Sequence, residues 1–192
     1  MNAAPTSSRD AARAFARQKL AQPIVFLDTE TTGIGREDEI IEIAVVDADG
    51  KLLVNSLIKP SKPIPSESTA IHGITNEMVQ KSPAWPILWP TIRAYLLGKI
   101  VAAYNSDFDL RLMQQSHARY RLPWRENLNM LDVMKVYADY RGVWDPNRRS
   151  MRYFKLEEAG RHFAIDIGNE HRAAADTLLA RAVLLAIAAD ER

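Results

Sequence analysis

The apolar positions of this 192-residue chain fall into short strand-like runs early and helical stripes later. Ile24 to Leu27 is a continuous apolar run, the pattern of an interior strand covered on both faces. It ends on two carboxylates, Asp28 and Glu30, and a polar connection with Gly33 and Gly35 leads to a second run over Glu39 to Val46. Asp49-Gly50 is a tight-turn signal, and Leu52 to Ile58 follows as a third strand, which predicts a three-strand meander. Pro60, Pro63 and Pro65 then break the chain. Glu67 to Ile71 supports a short helix, and Thr75 or Asn76 is placed to cap a further turn holding Glu77 and Met78. Trp85, Leu88, Trp89, Ile92, Leu96 and Leu97 give Pro83 to Leu97 an amphipathic helical stripe. Pro86 suits its first turn, and Pro90 predicts a bend or the true start.

Lys99 to Ala103 reads as a fourth strand, followed by a helix reaching Tyr120 with Leu112 and Met113 as core positions. Asn127 to Leu131 reads as the fifth, and Asp132 caps a helix to Tyr140. Gly142 to Ser150, with Pro146 and the pair Arg148-Arg149, has the least ordered look of any interior stretch. A helix from about Tyr153 to His162, a loop over Ile165 to Glu170 and an Ala/Leu helix from about Ala173 to Ala189 complete the pattern. Upstream, Met1 to Ser8 has the composition of a disordered tail. Asp10 to Ala21 predicts a short helix packed on the outside through Ala11, Ala14 and Phe15. Paired strands followed by alternating strands and helices predict one mixed α/β domain over residues 23–192, with residues 1–22 as tail and short helix.

Composition narrows the chemistry. A 47% hydrophobic content is enough for one sizeable core. Formal net charge is +1, from 25 basic and 24 acidic residues, which argues against a polybasic nucleic-acid binder but leaves room for an enzyme gripping a short strand. The absence of cysteine rules out disulfides, thiolate zinc sites and cysteine nucleophiles. No apolar run is long enough to span a membrane, and the N-terminus lacks the apolar centre of a secretion signal, so a cytoplasmic protein is expected.

The carboxylates carry the chemical signal. Residues two apart in a strand share a face, so Asp28 and Glu30 point together while Thr29 points away. Like charges held side by side need a compensating cation, and hard divalent ions take such oxygen ligands. A metal site at the strand end is one reading; an Asx-turn with a solvated Glu is the other. Asp107 and Asp109 stand near the start of the next helix: Asp107 suits a first turn beside the helix dipole, whereas Asp109, followed by apolar Leu110 and Leu112, needs another reason. Asn105 is placed to fasten that turn or to touch a ligand. Asp176 lies five residues after His171, a spacing that makes sense if His171 stands in the loop above a helix carrying Asp176. Four such acids could hold two divalent ions for phosphodiester hydrolysis, with histidine taking a proton from water.

In order and spacing, these motifs resemble the DnaQ-like 3'-5' exonucleases of the DEDDh subgroup. Asp28 to Gly33 matches Asp-x-Glu-Thr-Thr-Gly, Asp38 to Ala44 matches the acidic strand downstream, and Ile71 to Thr75 matches Ile/Val-His-Gly-Ile-Thr. Tyr104 to Asp109 meets His-Asn-x-x-Phe-Asp, and His171, Ala173 and Asp176 meet His-x-Ala-x-x-Asp. The resemblance spans about Ile24 to Ala188. It implies a ribonuclease H-like α/β fold, a central mixed five-stranded sheet flanked by helices. It implies Asp28, Glu30, Asp109 and Asp176 as carboxylates for two divalent cations, Mg2+ or Mn2+, and His171 as general base. By the same resemblance Thr31 and Thr32 would meet the terminal nucleotide, His72 and Ile74 the last bases, and Asn105 and Phe108 would shape the pocket.

Two positions depart from the family pattern. Tyr104 stands where a histidine is usual, and Thr177 where alanine is frequent; neither is a metal ligand. The implied substrate is a nucleic acid 3' end, DNA ahead of RNA, with 5'-mononucleotides released. A homodimer or a polymerase partner, as in a proofreading subunit, is compatible with it. The basic Asp139 to Arg152 segment, with Trp144, reads either as a solvated loop or as a loop that grips substrate.

Overall fold

β1 (Ile24–Thr31) is the middle strand of a five-stranded sheet, as its doubly buried apolar run requires. The computed structural model describes residues 8–166 and 171–191; the expected tail before Ser8 and residues 167–170 of the expected loop lie outside them. β2 (Ile40–Asp47) pairs antiparallel with β1, and β3 (Leu52–Leu57) antiparallel with β2. On the other side β4 (Ile100–Ala103) and β5 (Asn129–Asp132) add in parallel, giving the order β3-β2-β1-β4-β5. Parallel neighbours need crossovers. These are supplied by α4 (Trp85–Leu96) before β4 and by α5 (Ser106–Arg119) between β4 and β5. The expected mixed sheet flanked by helices is what forms.

The period of two along β1 divides the core. Ile24 and Phe26, with Ile100 and Ala102, face α1 (Ser8–Leu20), α6 (Val133–Arg141), α7 (Leu156–His162) and α8 (Ala173–Ala189). Val25, Leu27 and Val101 face Trp85, Trp89, Ile92 and Leu96 of α4 and Leu112 and Met113 of α5. A smaller cluster of Ile41, Ile64, Ile74 and Val79 lies under α2 (Ser66–His72) and α3 (Asn76–Val79).

Three local expectations change. In α1 the buried positions are Ala12 and Ala16, while Ala11, Ala14 and Phe15 are exposed. Two alanines four apart let α1 lie close against α6 and α8, and Phe15 instead carries the Lys19 ammonium over its ring. Gly142 to Ser150 is a structured hairpin, β6 (Trp144–Asp145) against β7 (Ser150–Met151), because the Asp145 carboxylate accepts the Asn147 and Arg148 amides and closes the turn. Finally, α7 starts at Leu156 rather than Tyr153: Lys155 donates its amide to Glu158 Oε2 at 2.8 Å, fixing the start, while Phe154 is buried in the core ahead of it. Pro86 does sit in the first turn of α4, with Pro90 inside the helix.

Candidate active site

The polar end of β1 continues the alternation that built the core. Asp28 and Glu30 follow Phe26 onto the α8 face, and Thr29 follows Leu27 onto the α5 face. Asp176 enters from the first turn of α8. Carboxylate oxygens of Asp28, Glu30 and Asp176 all lie within 4.8 Å of one another. Close approach of helix and sheet rests on small residues at the start of α8, where Ala173 is fully buried. One oxygen of the cluster, Asp176 Oδ1, is buried with no hydrogen-bond partner among the described residues. A buried carboxylate oxygen without a donor is costly, so the position suits a cation.

Asp109 reaches the strand end from the other face. It lies in the first turn of α5, almost fully buried, and its Oδ1 accepts the Thr29 hydroxyl at 2.7 Å. It is therefore not within the three-carboxylate cluster but is joined to it through one residue of β1, and its charge is felt at Asp28. Asp107 is different: it is exposed and paired with Lys135 Nζ at 2.7 Å.

Crowding of acids dominates the electrostatics. Burial, with Asp109, Asp176, Glu30 and Glu42 nearby, holds the Asp28 carboxyl well above the usual carboxylate range. Burial and the charges of Asp176 and Glu42 push Glu30 up to about 8, with Arg172 opposing. Burial raises Asp109 to about 7 against its Thr29 hydrogen bond, and raises Asp176 to about 6, with His171 opposing. The cluster favours protons or cations over bare charge.

The sequence gave no role to Glu42, and the structure gives it one. Glu42 lies opposite Glu30 in the β1–β2 register and is buried. Its carboxylate takes a two-pronged contact from the Arg172 guanidinium, and its Oε2 accepts the Ala173 amide at 3.0 Å. Arg172 is the N-cap of α8, so Glu42 fixes the helix start that carries Asp176. A signal was available: a carboxylate inside the run Ile40, Ile41, Ile43, Ala44 must find a partner.

His171 stands in the chain just before that cap, exposed, in the left-handed region at φ 46°. It shares an open concavity of ≈ 710 Å³ with Asp176, Tyr104, Asn105, Arg148 and Tyr153. Tyr104 is anchored, donating its hydroxyl to the Phe154 carbonyl at 2.9 Å.

The other expected positions divide by exposure. Thr31 donates to the Gly33 carbonyl, and Thr32 donates to Asp38 Oδ1 while accepting the Glu39 amide, so both hydroxyls are engaged in the turn after β1. His72 is buried, its Nδ1 accepting the Ile74 amide at 3.0 Å, and burial lowers its pKa. Ile74 is fully buried in the small cluster, so its side chain offers no surface to a ligand. Phe108 is half-buried, with the Arg111 guanidinium over its ring, and Asn105 is exposed at φ 70°.

Comparison with known proteins agrees with this geometry. The RNase_T family model, described as "Exonuclease", matches residues 25–184. Uncharacterized exonuclease CP81 of Escherichia phage 186 is 37% identical over 180 residues, covering 90% of this chain and 92% of that protein. DNA polymerase III PolC-type of Thermotoga maritima is 30% identical over 165 residues, covering 84% of this chain but only 11% of that protein. Among solved structures, Exonuclease X in complex with 5' overhanging duplex DNA superposes with a TM-score of 0.62 at 27% identity, covering 85% of this chain and 90% of that one.

Proposed function

The chain belongs to the RNase_T exonuclease family, and from that membership we propose that it is a metal-dependent 3'-5' exonuclease that releases 5'-mononucleotides from DNA. The observation that carries this reading is the group of Asp28, Glu30 and Asp176, with Asp176 Oδ1 buried and unpartnered among the described residues. The donor set is all oxygen and strongly acidic, which fits Mg2+ or Mn2+. Asp28, Glu30 and Asp176 would hold the ions, with Asp109 supporting Asp28 from the far face. Bound divalent ions would polarise the scissile phosphate and acidify the attacking water. His171, exposed at the rim of the same concavity, is positioned to take the proton from that water at its imidazole nitrogen. The hydrogen-bonded turn of Thr31, Thr32 and Asp38 keeps the strand end rigid while substrate is bound. DNA is favoured over RNA because the related Exonuclease X is seen with duplex DNA.

The test is a time course on single-stranded DNA, on duplex DNA with a mismatched 3' end and on short RNA, each labelled at either end, with Mg2+, Mn2+ or EDTA. Stepwise shortening of 5'-labelled DNA, immediate release of a 3' label and silence in EDTA are expected. Internal cuts, or full activity in EDTA, would sink the proposal.

A second expectation concerns stability. The carboxylates have folded pKa values raised above their unfolded ones, so between about pH 4 and pH 8 the native state binds more protons than the unfolded chain. Stability of the metal-free protein attributable to these groups therefore falls as pH rises through that window. Divalent ions compete with those protons. The gain in melting temperature on adding Mn2+ should be larger near pH 8 than near pH 5.5, reaching about 5 °C or more once the ion is well above its Kd. Differential scanning calorimetry at the two pH values reads this directly, and a gain that shrinks with pH would contradict it.

A further inference from the structure

We propose that the β6–β7 hairpin is a grip for a single nucleic-acid strand entering the site, with arginines on phosphates and Trp144 stacked on a base; this rests on the exonuclease reading above. The hairpin is a built element. Trp144 pairs with Met151 and Asp145 with Ser150, and the Arg152 amide donates to the Val143 carbonyl at 2.8 Å. Arg141 and Arg152 both place their guanidinium groups over the ring of buried Phe154, at 4.6 and 5.0 Å, which fastens the base of the hairpin to the core. The Tyr104 hydroxyl ties the Phe154 carbonyl to the end of β4, next to Asn105. The hairpin is thus coupled to the wall of the active site.

What it displays outward is cationic and aromatic. Arg148 and Arg149 are exposed at the turn, Trp144 is 58% exposed and Tyr153 is 40% exposed. Between Arg141 and Lys155 the sequence carries five cationic side chains and one carboxylate, Asp145, in a chain whose formal net charge is +1. Asp145 is occupied in closing the turn, and its ion pair with Arg148, at 3.8 Å with Arg148 largely exposed, is weak. Arg148, Tyr153 and Lys155 line the same concavity as His171 and Asp176, so the surface is continuous from the hairpin to the acidic cluster. The acids on that wall, Glu157 and Glu158, belong to the first turn of α7, and Glu158 is engaged with the Lys155 amide. Interleaved arginines and aromatics suit a single strand, whose phosphates take guanidinium contacts and whose bases stack regardless of sequence. An acidic protein would have no use for the exposed rings.

Equilibrium binding of a fluorescent oligo-thymidylate, read by anisotropy in EDTA, measures the grip whether or not the centre hydrolyses. The probe variants are Arg148→Ala with Arg149→Asn, and separately Trp144→Ala. Arg149 sits at φ 51°, a region asparagine tolerates well, so this change removes charge and keeps the turn. The arginine pair variant should bind about tenfold more weakly and lower the slope of log Kd against log salt by about 1. Trp144→Ala should weaken binding about tenfold with the slope unchanged. Parental affinity and salt slope in the arginine variant, at an unchanged melting temperature, overturn the proposal. So does a loss of binding that appears only together with a lowered melting temperature, because the hairpin would then be structural. If the parent binds and the variants lose binding but nothing is hydrolysed in Mn2+, the grip stands and the catalytic reading fails.

Discussion

Asp28→Asn should reduce hydrolysis of single-stranded DNA by about a thousandfold or more and, at the same time, raise the melting temperature of the metal-free protein near pH 8. Both effects have one cause. Asp28 is in contact range of Glu30 and Asp176 and feels Asp109 and Glu42, so its ionised form is disfavoured by burial and by every acid around it. Asparagine has nearly the same shape and carries no charge, so it relieves that repulsion without opening a cavity. Relief of each 1 kcal/mol corresponds to about 2–4 °C in a protein of this size. The same substitution removes a charged oxygen ligand, and several kcal/mol of transition-state stabilisation amount to about a thousandfold in rate. Glu30→Gln should move both quantities in the same directions. Rates from labelled oligonucleotides and melting curves in EDTA check the pair of effects. A variant that is inactive but less stable would mean that Asp28 is a structural acid; one that is fully active would remove the metal assignment.

The sequence carried the strand end well because its chemistry is local. Asp28, Thr29 and Glu30 sit on one strand, and a period of two settles which faces which. The helix of Asp176 was legible too, since Ala173 to Ala189 is long and strongly helical. What could not be read was tertiary. The Thr29–Asp109 hydrogen bond links residues 80 apart in sequence, and the Glu42–Arg172 pair links residues 130 apart. Nothing local announces either. The α1 stripe was misread for a related reason: Phe15 is the most hydrophobic choice by composition, but alanines allow the closest helix contact, and Ala12 and Ala16 are what α6 and α8 accept. At Gly142 to Ser150, Pro146 and two arginines concealed a hairpin whose closure depends on one carboxylate, Asp145. Ile74 shows the opposite limit of motif reading, because a position can match a motif and still be turned entirely into the core.

Glu42→Ala should destabilise the protein by about 2–3 kcal/mol and slow catalysis by about ten- to a hundredfold, although Glu42 is no part of the three-carboxylate group. Losing Glu42 leaves the Ala173 amide without its buried acceptor and the Arg172 guanidinium without its carboxylate. Breaking a fully buried pair costs about 3–5 kcal/mol. The Arg172 side chain is 39% exposed, so water recovers part of that. One term acts the other way, because Glu42 also pushes up the pKa values of Asp28, Glu30 and Asp176, and its removal relieves them. The ion pair and the amide contact outweigh it, since both are direct and the amide is buried. The catalytic effect follows from position: Arg172 is the N-cap of α8, His171 precedes it and Asp176 lies one turn on, so a loosened cap moves both. Glu42→Gln keeps an acceptor for the Ala173 amide and should lose less stability than Glu42→Ala. Mn2+ affinity should fall in both variants, a change that a remote core defect would not produce. Calorimetry and Mn2+ titration of the two variants, beside the Glu42→Ala/Arg172→Met double variant, separate these contributions. If Glu42→Ala melts lower but binds Mn2+ as the parent does, Glu42 holds the sheet together and does not position the site.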